Sequence, residues 1–164
     1  MQVFNRIYLR KHKSSYIEIG KNFRFSSGSA INPLCRNLRG CIYTRENARI
    51  KIGDNVGISS ATIWASESIT IGNNVNIGGD SILMDSDAHS LDYAVRRTPE
   101  DCSKARTKPI VIGNDVLIGA RTIILKGVTI GERSVIGGGS IVTKSIPSDC
   151  IAAGNPCKVI RMLR

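Results

Sequence analysis

The chain has 164 residues, 41% of them hydrophobic, which is the size and make-up of one soluble domain. No apolar run reaches the roughly 18 residues needed to cross a membrane as a helix. The net charge of +10 serves solubility, or else suits a polyanionic ligand, an acidic polymer or an anionic membrane surface; nucleic acid is disfavoured, because no nucleic-acid motif is recognisable and the eight aromatic residues do not interleave with a basic patch.

Residues 1–16 read as a basic cap. Residues 1–25 hold six basic side chains, Arg6, Arg10, Lys11, Lys13, Lys21 and Arg24, against one acid, Glu18. Val3, Phe4, Ile7 and Tyr8 are spaced to share one face of a short helix, a candidate for weak peripheral contact with an anionic membrane. The apolar runs there are too short for a secretory leader, so none is expected. Five cysteines without a CxxC pair suit reduced thiols and a cytoplasmic setting.

Residues 17–84 read as the first coils of a repeat. Ile17, Ile19 and Gly20 open it, and Phe25 and Ile31 follow Ile19 at six-residue steps. Residues 33–49 are poorly periodic, a worn coil or a small excursion. The rhythm returns at Ile50, Ile52 and Ile58, reaches Trp64, slips by one residue, and resumes at Ile71, Ile77 and Leu83. Residues 110–145 carry it most clearly: Ile112, Ile118, Ile124, Ile130, Ile136 and Val142 are spaced by six without a miss.

A period of six fits neither an α-helix nor a lone strand; it is the mark of a parallel β-helix. The phrases Ile50-Lys51-Ile52-Gly53, Ile69-Thr70-Ile71-Gly72, Ile110-Val111-Ile112-Gly113 and Val128-Thr129-Ile130-Gly131 recur at wider spacing, 19 residues for the first pair and 18 for the last. Three hexapeptides therefore make one turn of a triangular coil, and about five turns fit, stacked at about 4.8 Å each. The large aliphatic residue of each hexad should point inward; Asp54, Asn73, Asn74 and Asn114 suit the corners.

The rhythm fails over residues 85–109, a segment with Asp85, Asp87, His89, Asp92 and several cations. A long loop thrown out of a regular coil usually carries function. Residues 146–164 form a short C-terminal tail or helix with Lys158, Arg161 and Arg164.

The residues Pro109-Ile110-Val111-Ile112-Gly113-Asn114-Asp115-Val116-Leu117-Ile118-Gly119-Ala120, Ile124-Leu125-Lys126-Gly127-Val128-Thr129-Ile130-Gly131, Val135-Ile136-Gly137-Gly138-Gly139-Ser140-Ile141-Val142-Thr143-Lys144 and Ala153-Gly154-Asn155-Pro156-Cys157-Lys158-Val159-Ile160-Arg161 resemble the hexapeptide-repeat acyltransferases. Among these the chain is similar to galactoside, maltose and polysaccharide-type O-acetyltransferases. The resemblance implies an all-β fold, a left-handed parallel β-helix, in a single domain over 1–164. It implies an acetyl-CoA-dependent O-acetyltransferase acting on a sugar or glycan hydroxyl by direct transfer. N-acetylation of an amino sugar nucleotide, or a non-catalytic scaffold, are the alternatives.

His89 stands where that family keeps its catalytic histidine, and a neutral imidazole can take the acceptor proton near neutral pH. Asp87 and Asp85 are candidates to orient it, with Asp92 third; the sequence does not choose among them. By resemblance, the Ala120 amide would hold the oxyanion, and Gly138 and Gly139 would meet the pantetheine arm. Thr143, Lys144, Lys158 and Arg161 would receive the phosphates of acetyl-CoA. Leu117 stands where many relatives have Trp. Two histidines cannot supply the three-histidine zinc site of related coils, so no metal is expected. The family packs three prisms in parallel, which implies a homotrimer with active sites between subunits.

Overall fold

The computed structural model describes residues 1–35 and 38–163. The chain winds as a triangular coil whose three faces are parallel sheets. Face 1 stacks Gln2–Phe4, Arg24–Ser26, Gly57–Ser59, Asn76–Ile77, Leu117–Ile118, Val135–Ile136 and Cys150–Ala153. Face 2 stacks Tyr8–Lys11, Cys41–Thr44, Thr62–Ala65, Ile82–Met84, Ile123–Leu125 and Ile141–Val142. Face 3 stacks Tyr16–Ile19, Arg49–Ile52, Ser68–Ile71, Ile110–Ile112 and Thr129–Ile130, and Ile146 adds a last bridge to Ile130.

The repeated phrases meet as the period requires. Ile50 pairs with Ile69, Ile69 with Ile110, and Ile112 with Ile130, all on face 3. The six residues from Ile112 to Val142 are each no more than 1% exposed. Burying one such side chain contributes about 1.5–3 kcal/mol, and the parallel ladder pairs the backbone groups that go in with it.

The corner between faces 3 and 1 is polar. Asn22 donates to Asn55, Asn55 to Asn74, and Asn74 to Asp115, each at 2.9 Å. All four hold positive φ, a conformation that asparagine and aspartate tolerate better than other side chains. The corner between faces 1 and 2 is bare by contrast. Gly78 lies over Ala120, and Gly119 over Gly138, where an added Cβ would meet the next coil's amide nitrogen at 2.4 and 2.3 Å.

Four expectations change. The start is not a helix: Gln2–Phe4 and Tyr8–Lys11 are strands paired in parallel with Arg24–Ser26 and Cys41–Thr44, so the stretch read as a cap is a first coil. Face 2 accordingly counts six turns among the described residues, not five. Ile31 is 46% exposed, because the chain leaves the coil after Ser26 and returns at Cys41; Arg36 and Asn37, inside that excursion, lie outside the described residues. Finally, the six-residue count that reached Trp64 is filled in the core by Ile63, with Trp64 turned outward. The corner at Ser60, with φ 43°, is one residue shorter than its equivalents, so the slip precedes Trp64 instead of following it.

The tail resolves as a strand, Lys158–Met162, antiparallel to Cys150–Ala153; Arg164 lies outside the described residues. No helix among the described residues is long and apolar enough to cross a membrane.

Candidate active site

The extruded loop leaves at the corner between faces 2 and 3. Its neck is closed by the antiparallel bridge of Ser86 with Thr107 and by backbone bonds from Asp87 to Arg106 and from Lys108 to Asp85, both 3.0 Å. Beyond the neck the chain turns through a short helix, Tyr93–Arg96, and a 3₁₀ turn, Asp101–Ser103. Asp92 caps the helix by accepting from the Ala94 amide at 2.8 Å. These turns bring Asp101 back onto the start of the loop.

There Asp101 grips two neighbours at once. One carboxylate oxygen lies 2.5 Å from His89 Nδ1, and the other accepts from the Ser90 amide at 2.7 Å. These bonds, the one from His89 first, hold the Asp101 carboxyl below its ordinary range. The other imidazole nitrogen, Nε2, is left for a substrate, and the His89 side chain is 62% exposed. The Cys102 thiol completes the group; one ligand atom of each of the three side chains lies within 4.8 Å of the others.

Asp101 therefore replaces the carboxylates proposed from sequence. Asp85 is fully buried and accepts from the Ser66 and Glu67 amides at 2.6 and 2.8 Å, clamping the coil above. Burial pushes its carboxyl up, against the pull of those bonds. Asp87 pairs with Lys126 Nζ at 2.7 Å. Neither is a hydrogen-bond partner of His89, and Asp92 is spent on the helix cap. Asp101 lies 12 residues from His89 with no spacing signal between them, so only the fold-back of the loop reveals it.

Asp85→Asn tests this division of labour. It is expected to cost about 1–3 kcal/mol of stability, because one clamp oxygen becomes an NH₂ facing a backbone N–H. The pH dependence of turnover should keep its shape. Chemical denaturation and a pH–rate profile check the two halves.

The remaining residues fall at two corners. Ala120, Gly138 and Gly139 lie between faces 1 and 2, and Lys158 starts the last strand opposite Ala153 beside the same corner. Gly139 has φ 72° with open space around its Cα, and its amide donates to the Ala120 carbonyl at 2.8 Å. The Ala120 amide has no hydrogen-bond acceptor among the described residues. Beside it a groove of about 540 Å³ runs along face 1, walled by Leu117, Leu34 and Phe4. Leu117, where a tryptophan stands in many relatives, shares this groove with apolar side chains from the first coil and the excursion. Thr143 and Lys144 follow face 2 and lie at the corner of the His89 loop, two coils further on. Within one chain, then, the loop and the bare corner stand on opposite edges of face 2. Arg161 is exposed on the final strand.

Comparison with known proteins agrees with this architecture. Residues 109–144 match the family model described as bacterial transferase hexapeptide (six repeats). Over 121 residues the chain is 42% identical to galactoside O-acetyltransferase of Escherichia coli, covering 73% of this chain and 57% of that one. A hexapeptide-repeat-containing acetyltransferase from Vibrio cholerae superposes with TM-score 0.64 at 29% identity, over 98% of this chain and 75% of that one. The chain carries the hexapeptide repeat and is similar in sequence and fold to hexapeptide-repeat acetyltransferases. The superposition gives the hand: a coil of the opposite hand would not superpose over such a length, so this hexapeptide-repeat chain is a left-handed parallel β-helix.

A structure of galactoside acetyltransferase in complex with coenzyme A superposes with TM-score 0.61 at 30% identity, over 99% of this chain and 65% of that one. The Vibrio cholerae protein has also been solved with acetyl coenzyme A, and that structure superposes at 0.61 with 26% identity over 92% and 72% of the two chains. This hexapeptide-repeat chain spans a little over half the length of the galactoside O-acetyltransferase that it matches.

Proposed function

We propose that the chain carries an acetyl-CoA-dependent O-acetyltransferase for a hydroxyl of a sugar or glycan, with His89 as general base. The observation that carries this reading is the His89–Asp101 pair on an exposed loop of a coil whose solved relatives hold coenzyme A. O-transfer is preferred to N-transfer because the sequence relative of 42% identity is named for O-acetylation.

The chemistry follows from the geometry. Asp101 accepts a hydrogen bond from Nδ1–H and so selects the tautomer with a free lone pair on Nε2. His89 Nε2 takes the hydroxyl proton as the acceptor oxygen bonds to the thioester carbonyl carbon. The Ala120 amide donates to the oxygen that becomes negative. When the tetrahedral intermediate collapses, the carbon–sulfur bond breaks and His89 returns its proton to the departing thiolate. Gly138 and Gly139, without side chains, let an extended pantetheine arm lie against the backbone, and Lys158 and Arg161 receive phosphate charge.

His89 and Ala120 of one chain stand at different corners, so a complete site requires two chains. A homotrimer brings the loop of one subunit to the bare corner of the next, and places Thr143 and Lys144 against the neighbour's coenzyme. Acetyl-CoA supply and five free thiols suit the cytoplasm.

The test is thiol release from acetyl-CoA with a panel of sugar acceptors. Release that depends on acceptor supports the reading; no release with any acceptor, together with no coenzyme binding, would leave a scaffold. Sedimentation should give three times the chain mass of 17.8 kDa. A monomer at assay concentration contradicts the shared site.

A further inference from the structure

Several cationic side chains have no part in the scheme above. They gather on the edge that carries His89. Arg10 and Lys11 end the first face 2 strand and His12 follows it; Thr44 ends the one beneath it, and Arg45 and Glu46 follow. With Leu9 and Tyr43 they line an open depression of about 540 Å³. Glu46 is its single acid. Among the described residues, Arg10, Lys11 and Arg45 have no carboxylate partner within ion-pair distance. Arg10 lies over the Tyr43 ring, 5.5 Å from its centre, and Tyr43 in turn meets Trp64 edge-on at 5.1 Å. Tyr43, itself braced by Trp64, thus supports the Arg10 guanidinium from below at the depression.

The depression is tied directly to the catalytic loop. Arg45 Nη1 donates to the Cys102 carbonyl at 3.2 Å, and Cys102 directly follows Asp101, the partner of His89. A continuous contact therefore runs from His89 through Asp101 and Cys102 to Arg45. The depression lies toward the N-terminal coils, whereas the residues assigned to coenzyme phosphates lie in the last two coil turns and the tail. The two positive regions thus sit on opposite sides of the loop along the coil axis.

Resting on the acetyltransferase reading, we infer that the depression binds an anionic group of the acceptor, a carboxylate or a phosphate carried on the sugar next to the hydroxyl acetylated by way of His89. Guanidinium groups pair with either anion through parallel hydrogen bonds, and Arg10 and Arg45 line the same depression from adjacent coils. A neutral glycoside leaves these cations unused. Much of the +10 net charge on this short chain then serves the acceptor as well as the coenzyme.

The experiment compares methyl β-glucoside, methyl β-glucuronide and glucose 1-phosphate as acceptors, for wild type, Arg45→Gln and the double variant Arg10→Gln/Lys11→Gln. The double variant guards against an indirect effect, because neither Arg10 nor Lys11 hydrogen-bonds the loop. In wild type, kcat/KM for one of the anionic acceptors should exceed that for the glucoside by at least about tenfold. The double variant should bring the ratio close to one, mainly through KM. A preference for the glucuronide assigns a carboxylate, and a preference for the sugar phosphate assigns a phosphate. A ratio of one in wild type, or a ratio that the variants do not change, overturns the inference. If wild type acetylates none of the three, titration of the two anionic sugars into the protein, followed by calorimetry, decides the pocket separately. Saturable binding weakened at least about tenfold in the double variant keeps the anion site, whichever acceptor the enzyme uses; no binding removes the anion site, while the acetyltransferase reading is decided by the wider acceptor panel and by coenzyme binding.

Discussion

His89→Ala is expected to lower kcat by roughly 10²–10⁴-fold, the usual contribution of a positioned general base. The thioester is susceptible to attack only when the acceptor hydroxyl loses its proton as the bond forms. His89 Nε2 is the group free to take it, since Nδ1 is bound to Asp101. The KM for acetyl-CoA should move little, because the groups proposed to hold the coenzyme, the backbone at Ala120, Gly138 and Gly139 and the cations Lys158 and Arg161, are untouched by the substitution. Steady-state kinetics with both substrates varied separates the two constants. A variant that keeps wild-type kcat would remove His89 from the mechanism. Asp101→Asn should lose roughly 10–10³-fold, because an amide in place of the carboxylate presents either donor or acceptor to Nδ1 and no longer stabilises the imidazolium. Recovery of part of this loss at higher pH would distinguish a positioning role from collapse of the loop.

Ile118→Ala is expected to cost about 2–5 kcal/mol of stability. Ile118 is fully buried at the centre of face 1, paired with Ile77 on one side and Ile136 on the other. The coil has no second layer to close over the hole: each turn is held by its neighbours alone. The cavity therefore breaks the aliphatic ladder just beside Gly119 and Ala120, and coenzyme binding should weaken along with stability. Thermal unfolding should shift down by about 4–20 °C for a chain of this size. Loss of less than 1 kcal/mol would mean that the neighbouring turns can collapse onto the gap.

The ladder from Ile112 to Val142 was readable in the sequence because every hexad repeats the same environment, an aliphatic side chain above and below. The end coil was not readable for the same reason. Gln2–Phe4 and Tyr8–Lys11 have a coil on one side only, so every residue of both strands remains exposed and the inward pattern disappears. Spacing suggested a helix face there, and the ladder to Arg24–Ser26 and Cys41–Thr44 overruled it. Ser60 shows how a single corner residue shifts the register: one residue fewer puts Ile63 inside and turns Trp64 out onto Tyr43.

The site divides along the same line. His89 stood out as the histidine at the start of the one long break in the rhythm, and the glycine-lined corner was visible as Gly119, Gly138 and Gly139. Which carboxylate serves His89 was not visible. Asp85 and Asp87 are nearest in the chain, yet the closed neck of the loop turns one into a clamp on Ser66 and Glu67 and the other toward Lys126.

What the sequence determined by itself was the coil, its period, the place where it breaks and the family it resembles. These depend on contacts repeated at constant separation, which leave a period in the letters. The tertiary structure decided the partner of His89, the strand character of the first coil and the gathering of Arg10, Lys11 and Arg45 beside the loop. Each depends on one meeting between residues 12 to 57 positions apart, made once and never repeated, so no periodic signal records it.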